Sequence, residues 1–213
     1  MDEVGISSII GRFTALPAEQ TPAQALARLD ATDDALIVIT AADEEGVERP
    51  LAVLSRAELA ELTEPTELTG PVEPVEPAGE PLLLSGLSGR LPPLISIDIG
   101  ENRVVDAETL LTLVDTLARS RTTPGVLVEH DEEPLGVLAR VDVAAILPVE
   151  WLSQGEHRYG PGYGPVPDVP TRRYVCRKCA PPSYRLPRST GGAAPNCRRI
   201  WFHGPMEPDG DDD

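Results

Sequence analysis

Apolar and polar positions run through the same succession twice along the chain. In the first, Thr21–Ala31 places Ala25, Leu26 and Leu29 on one stripe behind a capping Thr21 and a Pro22 at the first helical position, which predicts a helix. The continuous apolar run Ala35–Thr40 predicts a buried strand. A nine-residue polar loop, Ala41–Arg49, leads to a second strand over Pro50–Ser55 and a closing helix over Arg56–Leu62. In the second succession Asp106 caps a helix over Asp106–Ser120, with Glu108 in its first turn and Leu110, Leu111, Val114 and Leu117 expected on one face. Gly125–His130 then predicts the strand, Asp131–Glu133 a tight hairpin, Pro134–Ala139 the partner strand and Arg140–Leu147 the closing helix. A short strand is expected before each first helix, at Arg12–Leu16 and at Asn102–Asp106.

The two successions share a phrase. "PLAVLSRAEL" (Pro50–Leu59) returns as "PLGVLARVDV" (Pro134–Val143), identical at Pro, Leu, Val, Leu and Arg and nearly so elsewhere. The offset is 84 residues across these strands and 90 across the strands before them, a difference assigned to the longer first hairpin. Each unit is a strand, helix, strand, strand and helix in about 50 residues, too few to enclose a comfortable core alone, so the two must share one.

This architecture resembles the cystathionine-beta-synthase (CBS) domain pair, in which two βαββα repeats pack sheet to sheet. The matching features are the apolar strand, the hairpin and the strand-to-helix ending seen here as "AVLSRAEL" and "GVLARVDV". The resemblance covers roughly residues 8–150. It implies an α+β fold of two CBS repeats in a pseudo-symmetric pair, and a cleft that holds AMP or another adenine nucleotide. Carried over by position, it puts Ser55 and Glu58 at the ligand in repeat one. In repeat two it puts Ala139 and Asp142 there, and Arg56 and Arg140, one position after the Ser55 and Ala139 places, either supply charge or stand as solvated arms. The carboxylate would accept the ribose hydroxyls, and the hydroxyl position with the helix-start N–H groups would meet phosphate. Glu58 is one methylene longer than the family's Asp, and Ala139 has no hydroxyl. The plain alternative is that Ser55 caps its helix while Glu58 and Asp142 sit in first turns against the helix dipole.

The 213 residues divide into repeat one (8–62), a Pro/Glu-rich linker (63–93), repeat two (94–150), a Gly/Pro-rich linker (151–169), a tail (170–206) and an acidic terminus (207–213). In the first linker Pro71, Pro74 and Pro77 recur every third residue with Glu73 and Glu76 between them, which suits an extended polyproline II spacer or a docking site for a proline-reading partner. "LLLSGLSGR" is expected to add an edge strand or to cover the cleft. No apolar run reaches the roughly 20 residues a bilayer span needs, and the start lacks a basic region before an apolar one, so a soluble cytoplasmic protein with no membrane partner is expected.

The net charge of −17 is unevenly spread. Residues 1–168 hold 30 Asp/Glu against 10 Arg, whereas the tail holds eight basic residues (Arg172, Arg173, Arg177, Lys178, Arg185, Arg188, Arg198, Arg199) and no acidic one up to Met206. A nucleic-acid partner would therefore meet the tail, whose Tyr174, Tyr184 and Trp201 could stack on bases. The same charges could instead dock on the protein's own acidic body.

All three cysteines lie in this tail. Cys176 and Cys179 are two residues apart, Cys197 follows after seventeen, and His203 after five more. Two thiolates on a tight turn with two ligands on a distant one make a zinc-ribbon-like pattern. His203 is the expected fourth ligand, with His157 in reserve. The prolines after Cys179 argue against a thioredoxin-type motif, the odd count against structural disulfides, and the single histidine-for-thiolate exchange against rubredoxin-type iron. With few apolar residues the tail is expected to need its metal to fold.

No converging set of carboxylates and histidines suggests catalysis. The expectation is a non-enzymatic regulatory or adaptor protein, a homodimer whose CBS pair binds an adenine nucleotide or serves as a dimerising platform, with a zinc ribbon contacting a protein partner. The alternative is a nucleic-acid-binding protein that reads through the basic ribbon.

Overall fold

The computed structural model describes residues 3–63, 82–101, 103–145, 173–187 and 194–209. The polyproline segment, the 151–169 linker with His157, Arg172, Arg188 and the last acidic residues lie outside them.

The fold is α+β. Repeat one comprises β2 (Thr14–Pro17), α1 (Pro22–Asp30), β3 (Leu36–Ala42), β4 (Glu48–Ser55) and α2 (Arg56–Thr63). Its sheet has the order β2-β3-β4, with β2 parallel and β4 antiparallel to β3. Thr21 accepts from the Gln24 N–H, and the Gln24 side chain accepts from the Thr21 N–H, so the expected cap is a complete capping box. Repeat two comprises β5 (Ile95–Asp98), β6 (Val104–Asp106), α3 (Ala107–Arg119), β7 (Gly125–His130), β8 (Glu133–Ala139) and α4 (Arg140–Ala145).

The strand expected at Asn102–Asp106 is not the one that completes this second sheet. Val104–Asp106 pairs with β1 (Glu3–Gly5) at the N-terminus, and β5 lies parallel beside β7 in its place. The N-terminal residues also cross to repeat two: Ile6 is buried in its core, and Gly11 bridges Val137 in both hydrogen-bond directions. On α3 the buried face is Leu110, Leu113 and Leu117, while Leu111 points outward at 40% exposure. Spacings of three, four and seven select Leu113 over Leu111.

The repeated phrase has a structural counterpart. In each copy the Pro–Leu step is where the hairpin ladder slips: Ile39 opposes Ala52 and Thr40 opposes Pro50, leaving Leu51 unmatched. Likewise Val128 opposes Gly136 and Glu129 opposes Pro134, leaving Leu135 unmatched. Proline offers no N–H to the ladder, so a bulge beside it is the low-cost solution. The extra residues of copy one do not all form loop, since Ala41–Arg49 and Ala42–Glu48 extend the ladder and only 43–47 turn.

Alternation sorts each strand between two interiors. Ile37 and Ile39 face repeat one's helices, and Val126 and Val128 face repeat two's. Leu36, Val38 and Val53 instead meet Leu94, Leu127 and Val137 between the sheets. Burying these six side chains contributes about 10–15 kcal/mol gross, as much as the whole net stability of an ordinary domain, so neither repeat stands without the other. The "LLLSGLSGR" segment makes neither a strand nor a lid on the cleft. Leu84–Leu87 form a 3-10 turn buried in repeat one's core and tied to the Ala18 and Gln20 carbonyls.

A Cβ built at Gly136 falls against Ile10 and 2.7 Å from the Gly11 carbonyl oxygen, whereas one at Gly86 meets only Leu82 at an ordinary 3.6 Å. Gly136→Ala is expected to cost about 1–3 kcal/mol in urea unfolding. Gly86→Ala should leave the midpoint nearly unchanged.

Candidate metal centre and inter-repeat cleft

The tail builds a four-ligand cluster from two turns. Strand β9 (Tyr174–Cys176) ends on Cys176, a tight turn with the Cys179 N–H donating to the Cys176 carbonyl follows, and β10 (Ser183–Leu186) returns antiparallel. The second turn starts at Cys197, whose N–H donates to the Gly204 carbonyl. A 3-10 turn at Trp201–His203 swings His203 back toward the first pair, and Gly204 at φ 72° lets the chain double round. That loop is how a five-residue gap does the work of the shorter spacing in other knuckles.

The sulfurs and the imidazole converge. Cys179 Sγ lies 3.7 Å from Cys176 Sγ and 3.5 Å from Cys197 Sγ, and His203 Nδ1 lies 3.3 and 3.4 Å from Cys176 and Cys179 Sγ. Zinc–sulfur bonds of about 2.3 Å and zinc–nitrogen bonds of about 2.0 Å imply tetrahedron edges of about 3.8 and 3.5 Å. All four donor atoms fall within 4.8 Å of one another, so the set fits a tetrahedral ion of the zinc type. The three cysteines are buried and unbridged.

Supporting groups surround them. The Ile200 N–H donates to Cys197 Sγ at 3.4 Å, the Ser183 hydroxyl reaches two of the sulfurs, and Lys178 Nζ donates to the His203 carbonyl at 2.8 Å. The hydrogen bond donated by Cys179, helped by Ile200 and Ser183, pulls the Cys197 thiol well below the usual thiol range. Burial pushes Cys176 up, and sharing its hydrogen with Cys197 pushes Cys179 up.

The tail is fastened to the body rather than tethered near it. Strand β10 pairs in parallel with β5, giving one six-stranded sheet in the order β11-β9-β10-β5-β7-β8, where β11 is Glu207–Pro208. Leu186 enters repeat two's core. Arg173, 1% exposed, donates to Asp115 of α3 at 2.8 Å and to Asp209 at 2.6 Å. Arg198 donates to the fully buried Glu129 at 2.9 Å and also reaches Glu132, which Arg185 shares. Arg177 pairs with Asp209, and Arg199 donates to the Pro181 and Ser88 carbonyls. All six described basic residues of the tail are thus engaged within the chain.

The second feature is a cleft of about 360 Å³ between the repeats, lined by Arg12, Asp33, Asp34, Leu36, Ala139 and Asp142 among others. Asp142 and Ala139 thus both line this cleft. Arg140 turns away: its guanidinium donates to the Thr123 and Ser120 carbonyls and pins the loop before β7. Ser55 and Glu58 close on each other at the helix start, with the Ser55 N–H and hydroxyl donating to Glu58 and the Ala57 N–H to the Ser55 hydroxyl. The cleft's Asp33 and Asp34 are absent from the sequence reading. Their one local signal is a pair of carboxylates in the turn before a buried strand, where the Thr14 hydroxyl donates to Asp34 at 2.6 Å.

No protein-family model matches the chain, and neither does any curated protein. Among solved structures, a conserved CBS-domain protein of unknown function from Thermoplasma acidophilum is similar over 79% of this chain and 84% of its own, at 12% identity and a TM-score of 0.44. A CBS-domain protein from Pyrobaculum aerophilum complexed with AMP is similar over 72% and 99%, at 16% identity and 0.42. Hypoxic Response Protein I with two coordinated zinc ions is similar over 66% and 97%, at 14% identity and 0.36. No helix among the described residues is long and apolar enough to cross a membrane.

Burial holds Glu129 above the ordinary carboxylate value of 4.5, and Arg198 is the leading influence in the other direction. A carboxyl raised on folding contributes most below its unfolded pKa, and that contribution is lost as pH rises through the folded one. Arg198→Met is therefore expected to destabilise the protein by about 3 kcal/mol at pH 8, where Glu129 is left as an unpaired buried charge. The loss should be smaller at pH 5, where Glu129 can take up a proton. Thermal unfolding of both proteins at the two pH values reads the difference.

Proposed function

We propose that this is a non-enzymatic regulatory or adaptor protein in which a CBS-like repeat pair takes a small adenine-containing ligand in the Asp142 cleft. Zinc on Cys176, Cys179, Cys197 and His203 fixes the tail to the same body. The observation that carries this reading is the cleft itself, opening between two sheets that share one interior, with Asp142 at the strand-to-helix corner. A carboxylate at that corner can accept two adjacent ribose hydroxyls.

The cleft's charge narrows the ligand. Asp33, Asp34 and Asp142 face a single guanidinium, Arg12, so each added phosphate meets more repulsion than attraction. Adenosine or AMP fits this lining better than ATP. Homodimer formation and a protein partner belong to the same reading; the outward-facing Val141 on α4, 74% exposed, is an apolar contribution to such a surface.

The nucleic-acid reading finds less support. Its cations among the described residues are occupied by Asp115, Glu129, Glu132, Asp209 and backbone carbonyls, and phosphate contact through them would have to break those pairs.

Titration calorimetry with adenosine, AMP and ATP is expected to show the first two binding and ATP binding more weakly. Asp142→Asn should weaken adenosine by about 10–100-fold, the loss of hydrogen bonds to a charged acceptor. Equal affinity of the variant, or preference for ATP, would remove the cleft assignment.

Zinc removal generates a separate expectation. A strong chelator should release the zinc held by the cysteines, and because β10 is paired with β5, melting should extend from β9–β11 to the edge of repeat two. Hydrogen exchange that rises in the tail and at Ile95–Asp98 together would show it. Protection kept at both Tyr184–Leu186 and Ile95–Ile97 would mean the pairing survives without metal.

A further inference from the structure

We propose a second divalent-cation site, distinct from the cysteine cluster, formed by Asp98, His130 and Asp131 where the end of β5 meets the β7–β8 hairpin. One donor atom from each residue lies within 4.8 Å of the others. Donors about 2.1 Å from a shared ion stand about 3.0–4.2 Å apart, depending on the angle between them.

Three independent features point to an ion there. First, His130 Nδ1 lies 2.9 Å from the Ile99 carbonyl oxygen. A carbonyl can only accept, so Nδ1 carries the proton and a neutral ring leaves its Nε2 lone pair directed away from that contact, the arrangement that orients metal-binding histidines. Second, His130 Nε2 and Asp131 Oδ2 are 3.6 Å apart, too far for a hydrogen bond and well suited to two ligands of one ion. Third, Asp98 Oδ1 is closed to solvent and has no hydrogen-bond partner among the described residues. A carboxylate oxygen so placed is costly, and a cation would satisfy it.

Regular backbone positions two of the three donors. Asp98 is opposite Glu129 in the parallel β5–β7 ladder, and Asp131 and Glu132 form a hairpin turn with φ of 48° and 72°. One imidazole and two carboxylates without thiolate select a first-row divalent ion of borderline to hard character, such as Mn²⁺ or Zn²⁺, over a soft one. With three protein donors, coordination positions stay open to water or to a further ligand. Asp131, with its side chain 71% exposed, gives the ion a route in from solvent. The neighbouring Glu132 receives Arg185 and Arg198 from the tail, so an ion at this corner would brace the hairpin on which the tail is seated.

The test uses full-length zinc-loaded protein dialysed against Mn²⁺, with bound manganese counted by mass spectrometry and electron paramagnetic resonance. A second metal equivalent is expected beside the cysteine-held zinc. Asp131→Asn, which suits the left-handed backbone and leaves the exposed turn folded, should weaken Mn²⁺ by at least about tenfold while the zinc count stays unchanged. His130→Gln should do the same, with the circular-dichroism melt confirming its fold. No manganese bound at millimolar ion, or equal binding by wild type and Asp131→Asn, would overturn the site.

Discussion

The unsatisfied side of β5 is the constraint on which the rest of this structure depends. In repeat one the corresponding strand, β2, has β3 as its one neighbour among the described residues. In repeat two β5 carries Ile95 and Ile97 into the core and pairs with β7 on one side, which leaves a row of backbone donors and acceptors on the other. The tail fills it. Tyr184, Arg185 and Leu186 lie against Ile95, Ser96 and Ile97, and the Tyr184 N–H donates to the Leu94 carbonyl. Sealing this edge requires β10 to be held straight, yet beyond Leu186 the tail's own interior is little more than three cysteines, Met206, Tyr174 and Ile200. An ion held by Cys176, Cys179, Cys197 and His203 would be the means by which so small an interior can hold a strand in place.

Charge completes the attachment and explains the uneven composition. An acidic body of 30 carboxylates against 10 arginines would repel itself, and the basic tail brings its cations to the carboxylates of α3 and the β7–β8 hairpin. Burying Arg173 and Glu129 is expensive, and their pairs contribute less to net stability than their geometry suggests. What they supply is registration. A tail shifted by one residue along β5 would take Arg198 from the buried Glu129 and part Arg173 from Asp115, a far larger penalty than any gain from mispairing.

The parts legible in sequence were those governed by local rules. Thr21 and Asp106 cap helices as their neighbours imply, the two hairpins sit on the duplicated phrase, and the Cys–x2–Cys, Cys and His positions converge. The missed features depend on distant partners. Ile95–Asp98 is a four-residue alternation behind Pro92 and Pro93, and nothing within it says that Tyr184–Leu186, about 90 residues later, will lie beside it. The same holds for the cleft: Asp33 and Asp34 look like an ordinary acidic turn until Asp142 from the other repeat faces them. Ser55 and Glu58 show the reverse, since the positions the resemblance offers to a ligand are engaged at the start of α2, where the Ala57 N–H donates to Ser55 and Ser55 donates to Glu58.

Those two corners explain why a duplicated chain has become asymmetric. In repeat one Ser55 and Glu58 satisfy each other, and the longer ladder carries the hairpin on to Arg49 and Asp43, which pair at 2.8 Å. In repeat two Ala139 has no hydroxyl to occupy Asp142, so that carboxylate stays in the cleft. Meanwhile Arg140 is spent on the Thr123 and Ser120 carbonyls. One half has turned its strand-to-helix corner into structure and the other has kept it available. The half that kept it is also the half whose open edge is covered by the cysteine-bearing tail. Repeat two thus brings together Asp142, the sealed strand and the Cys3His cluster, while repeat one supplies the facing wall that makes a cleft of it.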